Sequence, residues 1–359
     1  MALKRKIYTT VLLAAGLFLT GCGVVETEPE ENTETEVQEE ESAISIGFSF
    51  DTFVLDRWLR DRDAFVAAAE ELGAETNVQN ASGDVEEQIE QIRYLIRKQV
   101  DVLVVVATDC EALSDVMTEA KDAGIRTISY DRLIHNADTD LYISFDNERV
   151  GELMAETLIE EVPENSEIFM IQGPEADNNV QLVRKGFERV IEDSGLKVVY
   201  TANCEGWLAE LAVESLNEGL EEYPKVAGIM CGNDGIAGQV INTLAETRRA
   251  GSIPVVGQDG DLAACQRIVE GTQYMTVFKQ MEKEAEAAAE FAVKLAKGEE
   301  IDTGGVTMND GSYDVPAYLL EPVAVTEDNL DEVVIDSGFY SREDVYLNVQ
   351  QEESVSAIE

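Results

Sequence analysis

Residues 44–51 read ISIGFSFD, 102–109 VLVVVATD, 128–132 ISYDR, 142–147 YISFDN, 168–179 IFMIQGPEADNN, 226–234 VAGIMCGND and 253–259 IPVVGQD. Each is an apolar run of strand length that stops at Asp, Asn, Gln or Arg, and the stops are too varied to be one repeated turn. Further strand-like runs lie near 74–79, 196–202 and 273–278. Helical spacing separates the runs, at 55–72, 84–98 and 111–123 in a first series and at 148–161, 177–193, 207–222, 234–247 and 261–270 in a second. Two alternating series predict an α/β fold with two parallel sheets covered by helices. In an open parallel sheet, ligands bind just beyond the carboxyl ends of the strands, where the polar stops collect. Amides, carboxylates and guanidinium groups in that place suit a polyhydroxylated ligand, so the pattern points to sugar binding.

The 359 residues are 45% hydrophobic, enough for two domains with substantial cores. With 26 basic against 73 acidic residues and a formal charge of −47, no phosphate-neutralising surface can be assembled, which excludes nucleic acid as a partner. A long Ala- and Glu-rich stretch at 280–297 reads as another helix, and beyond it the chain turns to short strands broken by Asn309, Asp310 and Gly311.

Lys4, Arg5 and Lys6, the apolar run at 7–19 and LTGC at 19–22 form the pattern of a bacterial lipoprotein signal, residues 1–21, with cleavage before a lipidated Cys22. Lipid there would hold the protein at the outward-facing membrane surface. Residues 22–42 carry many like charges and little apolar surface, and are expected to form a disordered tether.

Catalysis finds little support. His135 is the only histidine, so Ser-His-Asp, Cys-His and multi-histidine metal arrangements are unavailable, and it reads as a solvated loop residue. No Walker loop and no GxGxxG after a strand is present, and no cofactor or metal is implied. Cys110, Cys204, Cys231 and Cys265 are widely spaced and read as free thiols. The two tryptophans, Trp58 and Trp207, fall on the side where the polar stops collect. A pyranose needs polar groups at its rim and a flat apolar face above or below, so each indole is either a stacking surface or core packing.

The run YDRLIHNADTDLYISFDNERVGEL at 130–153, with DRWLRDRDAF at 56–65, DNN at 177–179, GW at 206–207, GND at 232–234, GQDGDL at 257–262 and GTQYMTVFK at 271–279, resembles the D-xylose-binding proteins of bacterial ABC transporters. The resemblance extends from residue 44 to about residue 340. It implies the type I periplasmic-binding fold, two Rossmann-like lobes with parallel sheets joined by a three-stranded hinge. The lobes would be 43–146 plus 279–309 and 147–278 plus 310–340, followed by a tail at 341–359. Carried over by position, the sugar contacts fall on Arg57, Trp58, Asp131 and Arg132 in one lobe. In the other they fall on Asp177, Asn179, Trp207, Asn233 and Asp259, with Lys279 at a crossover. Asp146 and Asn147 sit at another crossover and are expected to be hinge residues; Asp109 and Asn233 also suit helix capping.

The implied function is capture of a monosaccharide, D-xylose or a related aldose, by a monomer that closes around it and presents it to an ABC permease or a membrane sensor kinase. Two departures bear on the sugar. Asp51 is followed by Thr52 where family members often carry a second acid, and Glu205 stands where an Asp commonly precedes the Gly-Trp pair.

Overall fold

The structure, a computed structural model, describes residues 43–349. The expected signal, Cys22 and the tether lie outside the described residues, as do residues 350–359 of the expected tail.

The first half of the chain runs β1 (Ile44–Phe50), α1 (Asp56–Glu71), β2 (Ala74–Asn80), α2 (Val85–Arg97), β3 (Val102–Val105), α3 (Ser114–Asp122), β4 (Arg126–Tyr130) and β5 (Leu141–Phe145). The second runs α4 (Asn147–Glu161), β6 (Glu167–Gln172), α5 (Asn178–Ile191), β7 (Lys197–Asn203), α6 (Leu211–Glu222), β8 (Gly228–Cys231), α7 (Asp234–Glu246), β9 (Val255–Asp259), α8 (Leu262–Val269) and β10 (Met275–Phe278). Then come α9 (Met281–Ala296), β11 (Thr307–Asn309), β12 (Asp314–Leu320), β13 (Val323–Val325) and a short α10 (Arg342–Val345).

The strands form two sheets, ordered β11-β12-β5-β4-β3-β1-β2 and β13-β10-β9-β8-β6-β7. All pairings are parallel except β11 with β12 and β13 with β10. The fold is therefore two α/β lobes. Strands covered on both faces must be apolar throughout, and all four residues of β3, VLVV, are buried. Phe48, Phe50, Phe65 and Trp58 share one core with the alanine stripe of α9, Ala285, Ala288, Ala289 and Ala292. The small stripe lets α9 lie close to α1, and each buried Phe contributes about 1.5–3 kcal/mol. In the second lobe α4 and α5 touch at glycines: a Cβ on Gly151 would sit 1.9 Å from the Val183 carbonyl oxygen, and one on Gly186 1.9 Å from that of Glu148.

Among the described residues the chain passes between the lobes three times, from β5 to α4, from β10 to α9 and from β12 to β13. The last passage corrects the expected lobe limits. Residues 310–320 were assigned to the second lobe, yet β12 pairs in parallel with β5 of the first, with Ala317 opposite Tyr142 and Leu320 opposite Phe145. Val315 and Ala317 bury against Leu133 and Tyr142, an apolar edge of the first sheet that β12 covers. Only from Val323 does the chain join the second sheet. Val345 of α10 is buried with Cys265, Ile268, Phe278, Leu330 and Val334, so the chain stays packed on the second lobe beyond the expected limit of residue 340. The four cysteines of the described residues are free and buried.

Candidate ligand-binding site

The carboxyl ends of β1, β4, β6 and β9 meet across the lobes, and the side chains there form one buried polar cluster, which Asn233 at the end of β8 does not join by a hydrogen bond. Arg57, in the first turn of α1, reaches Asp131 at 2.9 Å and Glu284 at 3.2 Å, with Asp61 at 3.6 Å and, from the second lobe, Asp259 at 3.7 Å. Arg132 joins Asp51 of its own lobe and Asp177 of the other, each at 2.8 Å, and donates to the Ala107 carbonyl oxygen at 2.7 Å. Asn179 donates from Nδ2 to Asp131 Oδ1 at 2.8 Å across the same cleft. Lys279, just past β10, donates to Asn147 Oδ1 at 3.1 Å and lies 3.8 Å from Asp259. Eight of the ten predicted site residues thus meet through one network: Arg57, Asp131, Arg132, Asp177, Asn179, Asp259 and Lys279, with Trp207 donating from Nε1 to Asp177 Oδ2 at 3.1 Å.

Local sequence explains these placements. Asp177 and Asn233 cap α5 and α7, accepting from Asn179 N and Ile236 N, because each follows a strand end and opens a helix. Asn233 spends Oδ1 on its cap, which leaves the amide nitrogen for another partner. Asp146 caps α4 through Arg149 N, while Asn147 donates to Ser144 Oγ, so both expected hinge residues sit at the first passage between lobes. Asp109 instead bonds Glu111 N in a turn ahead of α3. Trp207 precedes α6 in a short 3-10 turn and has φ 57°, and its ring occupies the space left by Gly173, where a Cβ would come within 2.4 Å of the indole. Asp131 and Asp259 also have positive φ, 60° and 100°. Strain of this kind costs about 1–3 kcal/mol per residue and concentrates where a ligand is held.

Trp58 is 1% exposed and belongs to the first lobe's core, with the Arg57 guanidinium 4.2 Å above its ring and that of Arg132 at 5.6 Å. The two cations occupy the approach to this indole, which makes it a floor beneath them. Among the described residues, Trp58 Nε1, Asn179 Oδ1, Gln172 Nε2 and Gln258 Oε1 are buried polar atoms without a hydrogen-bond partner. Each unpaired group costs about 1–3 kcal/mol, so a polar ligand that reached it would be favoured.

A family model described as periplasmic binding protein domain matches residues 46–300. The chain belongs to this family. A D-xylose-binding periplasmic protein of Haemophilus influenzae is 44% identical over 84% of this chain and 92% of its own length. A protein of the same description from Escherichia coli is 41% identical over 87% and 95%. A solved ABC transporter solute-binding protein of Clostridium phytofermentans, with bound beta-D-glucose, superimposes with a TM-score of 0.77 at 29% identity, covering 84% of this chain and 99% of that one. In this periplasmic binding protein, all ten predicted site residues lie inside the matched span.

The electrostatics of the periplasmic binding protein's cleft are lopsided: Arg57, Arg132 and Lys279 face Asp51, Asp61, Asp131, Asp177, Asp259 and Glu284, all largely buried. Burial works to raise the Asp131 carboxyl, but Arg57, Lys279 and Arg132 outweigh it and hold it below its ordinary value. For Asp177 burial wins against Arg132 and the carboxyl is pushed up; for Glu284 burial and Asp131 push it well up against Arg57. The surplus is of acceptors, which suits a ligand rich in hydroxyl donors.

Glu284, Asp61 and Asp51 were missing from the predicted site. Glu284 was readable in principle, since it continues the buried stripe of Ala288, Phe291 and Ala292 at spacings of three and four and is the one acid on it. Asp234 is a further positioning residue: its carboxylate accepts from Gly260 N, Asp261 N, Thr276 Oγ1 and Gln273 Nε2, which fixes the turn that carries Asp259.

Asp61 yields a pH prediction. It accepts from the Tyr130 hydroxyl, and burial, opposed by Arg57, pushes its carboxyl from 3.8 to about 6. The folded state keeps a proton the unfolded chain releases, so this contribution to stability is full below about pH 4 and lost as the pH rises through about 6. Thermal melts across that interval should therefore decline less in Asp61→Asn than in the wild type; equal declines would contradict the assignment.

Proposed function

We propose that the protein is a lipid-anchored, extracytoplasmic solute-binding protein that captures D-xylose or a closely related aldose and delivers it to an ABC permease, without catalysing a reaction. The observation that carries this reading is the cross-lobe network, in which Arg132 joins Asp177 and Asn179 joins Asp131. These pairs unite residues of different lobes and exist only when the lobes are closed. A sugar held between Arg57, Asp131 and Arg132 on one side and Asp177, Asn179, Asn233 and Asp259 on the other touches both lobes, and that differential contact favours the closed form. The permease then distinguishes closed from open protein by the lobes' outer surfaces. The relatives named for D-xylose, at 44% and 41% identity, support the pentose, and the neighbour with bound beta-D-glucose supports a monosaccharide of pyranose shape.

Calorimetric titration with a panel of pentoses and hexoses tests the reading. One site with D-xylose preferred over D-glucose by tenfold or more is expected, since the extra hydroxymethyl group must find room in a packed cleft; silence with every monosaccharide would refute sugar capture. Cys22→Ser tests the anchor separately: the variant should move from the membrane fraction to the soluble fraction, and retention at the membrane would contradict lipidation at that residue.

A further inference from the structure

At the edge of the cleft, Cys110, Glu111 and His135 each bring one ligand atom within 4.8 Å of the others. Cys110 Sγ is 3.9 Å from His135 Nδ1, which lies 2.5 Å from Glu111 Oε1. The two loops that carry them, β3 to α3 and β4 to β5, are tied by a backbone bond from His135 N to the Cys110 carbonyl oxygen at 2.8 Å, so the spacing is built into the fold. His135 is therefore not the solvated loop residue its sequence context suggested: only 19% of its side chain is exposed, and both ring nitrogens have partners.

We propose that Cys110, Glu111 and His135 form a site for a borderline-soft divalent cation of the zinc class, with a fourth position open to water. A tetrahedral zinc, with bonds of about 2.3 Å to sulfur and about 2.0–2.1 Å to nitrogen and oxygen, sets S···N at about 3.6 Å and O···N at about 3.4 Å. The Cys–His separation is within a few tenths of an ångström of that value. Glu111 must swing outward by less than an ångström, and its side chain is 65% exposed and free to do so. The remaining imidazole nitrogen supports the assignment. His135 Nε2 lies 3.1 Å from Asn178 Oδ1, an acceptor, so Nε2 carries a proton and Nδ1 is the nitrogen left for the metal. On binding, the Cys110 thiol and His135 Nδ1 each release a proton; thiolate, carboxylate and neutral imidazole then balance the dication.

The three ligands all belong to the first lobe, and the site does not depend on sugar capture. Asn178 belongs to the second lobe and reaches His135 only in the closed arrangement, so any mutual strengthening of metal and sugar rests on the proposed function.

Cobalt(II) titration of the full-length chain tests the site, because thiolate ligation gives a charge-transfer absorption that binding to the many surface carboxylates cannot give. The expected result is a band that saturates at one ion per chain, is displaced by zinc, vanishes in Cys110→Ser and persists in Cys265→Ser. Glu111→Gln, at an exposed side chain whose replacement leaves the core intact, should weaken cobalt at least several-fold. Absence of the band, or a band undiminished in Cys110→Ser, would overturn the proposal; cobalt affinity unchanged in Glu111→Gln would overturn the three-ligand site. Failure here leaves calorimetry with D-xylose as an independent readout, so the two readings fall separately.

Discussion

Asp259→Ala is expected to weaken D-xylose binding about a hundredfold, roughly 2.7 kcal/mol, while the melting temperature stays close to that of the wild type. The two halves of this expectation come from the same geometry. In the protein alone Asp259 stands off from its cations, at 3.7 Å from Arg57 and 3.8 Å from Lys279, and both cations keep other partners when it is removed. A sugar hydroxyl that donated to this carboxylate would have no substitute acceptor at that point in a cleft closed to water. Its φ of 100° adds to the argument, since the strained backbone is held by Asp234 bonding to Gly260 N and Asp261 N rather than by the Asp259 side chain. Calorimetry paired with thermal melts checks both parts, and an unchanged affinity would remove Asp259 from the site.

Arg57→Ala should lose both properties: about 3–5 kcal/mol in stability, and all measurable sugar binding. Among the described residues, Arg57 is the one cation within 4 Å of Asp131, Asp61 and Glu284. Removing it leaves these buried carboxyl groups facing one another without their nearest counter-charge, which costs more than the ion pairs themselves contribute. For a chain of this size each kcal/mol lowers the melting temperature by about 2–4 °C, so a fall on the order of 10 °C is expected. Adding Asp131→Asn to Arg57→Ala should recover part of the loss, because Asp131 is the carboxyl held in its charged form below its ordinary value; the effects of neighbours in one network do not add. A melting temperature within a degree or two of the wild type would contradict the role given to Arg57.

Most of this arrangement is legible in the sequence. The apolar runs that end in polar stops are β1, β3, β4, β5, β6, β8 and β9 or their immediate neighbours, because a parallel strand buried on both faces has no room for polar residues until it leaves the sheet. The gathering of polar residues at the strand ends was legible for the same reason, together with the family resemblance. What escaped was long-range pairing. Nothing within DVPAYLL indicates that β12 inserts beside β5, with Ala317 opposite Tyr142, so the third passage was placed too soon. Glu284 escaped because it is one of 73 acids, and its burial depends on the contact between α9 and α1. Trp58 illustrates a limit of another sort: a tryptophan beside an arginine at a strand end has the same sequence signature whether it faces a ligand or the core. His135 was misjudged because its partners, Cys110 and Glu111, lie on a different loop and no local spacing reveals them.

The central claim is that one monosaccharide is gripped by residues of both lobes. A crystal structure of the protein grown with D-xylose tests it most directly. The account predicts a single pyranose between the lobes, with hydroxyls within hydrogen-bond distance of Asp131 or Arg132 on one side and of Asp177, Asn233 or Asp259 on the other. A sugar bound to one lobe alone, or bound away from these strand ends, would contradict it.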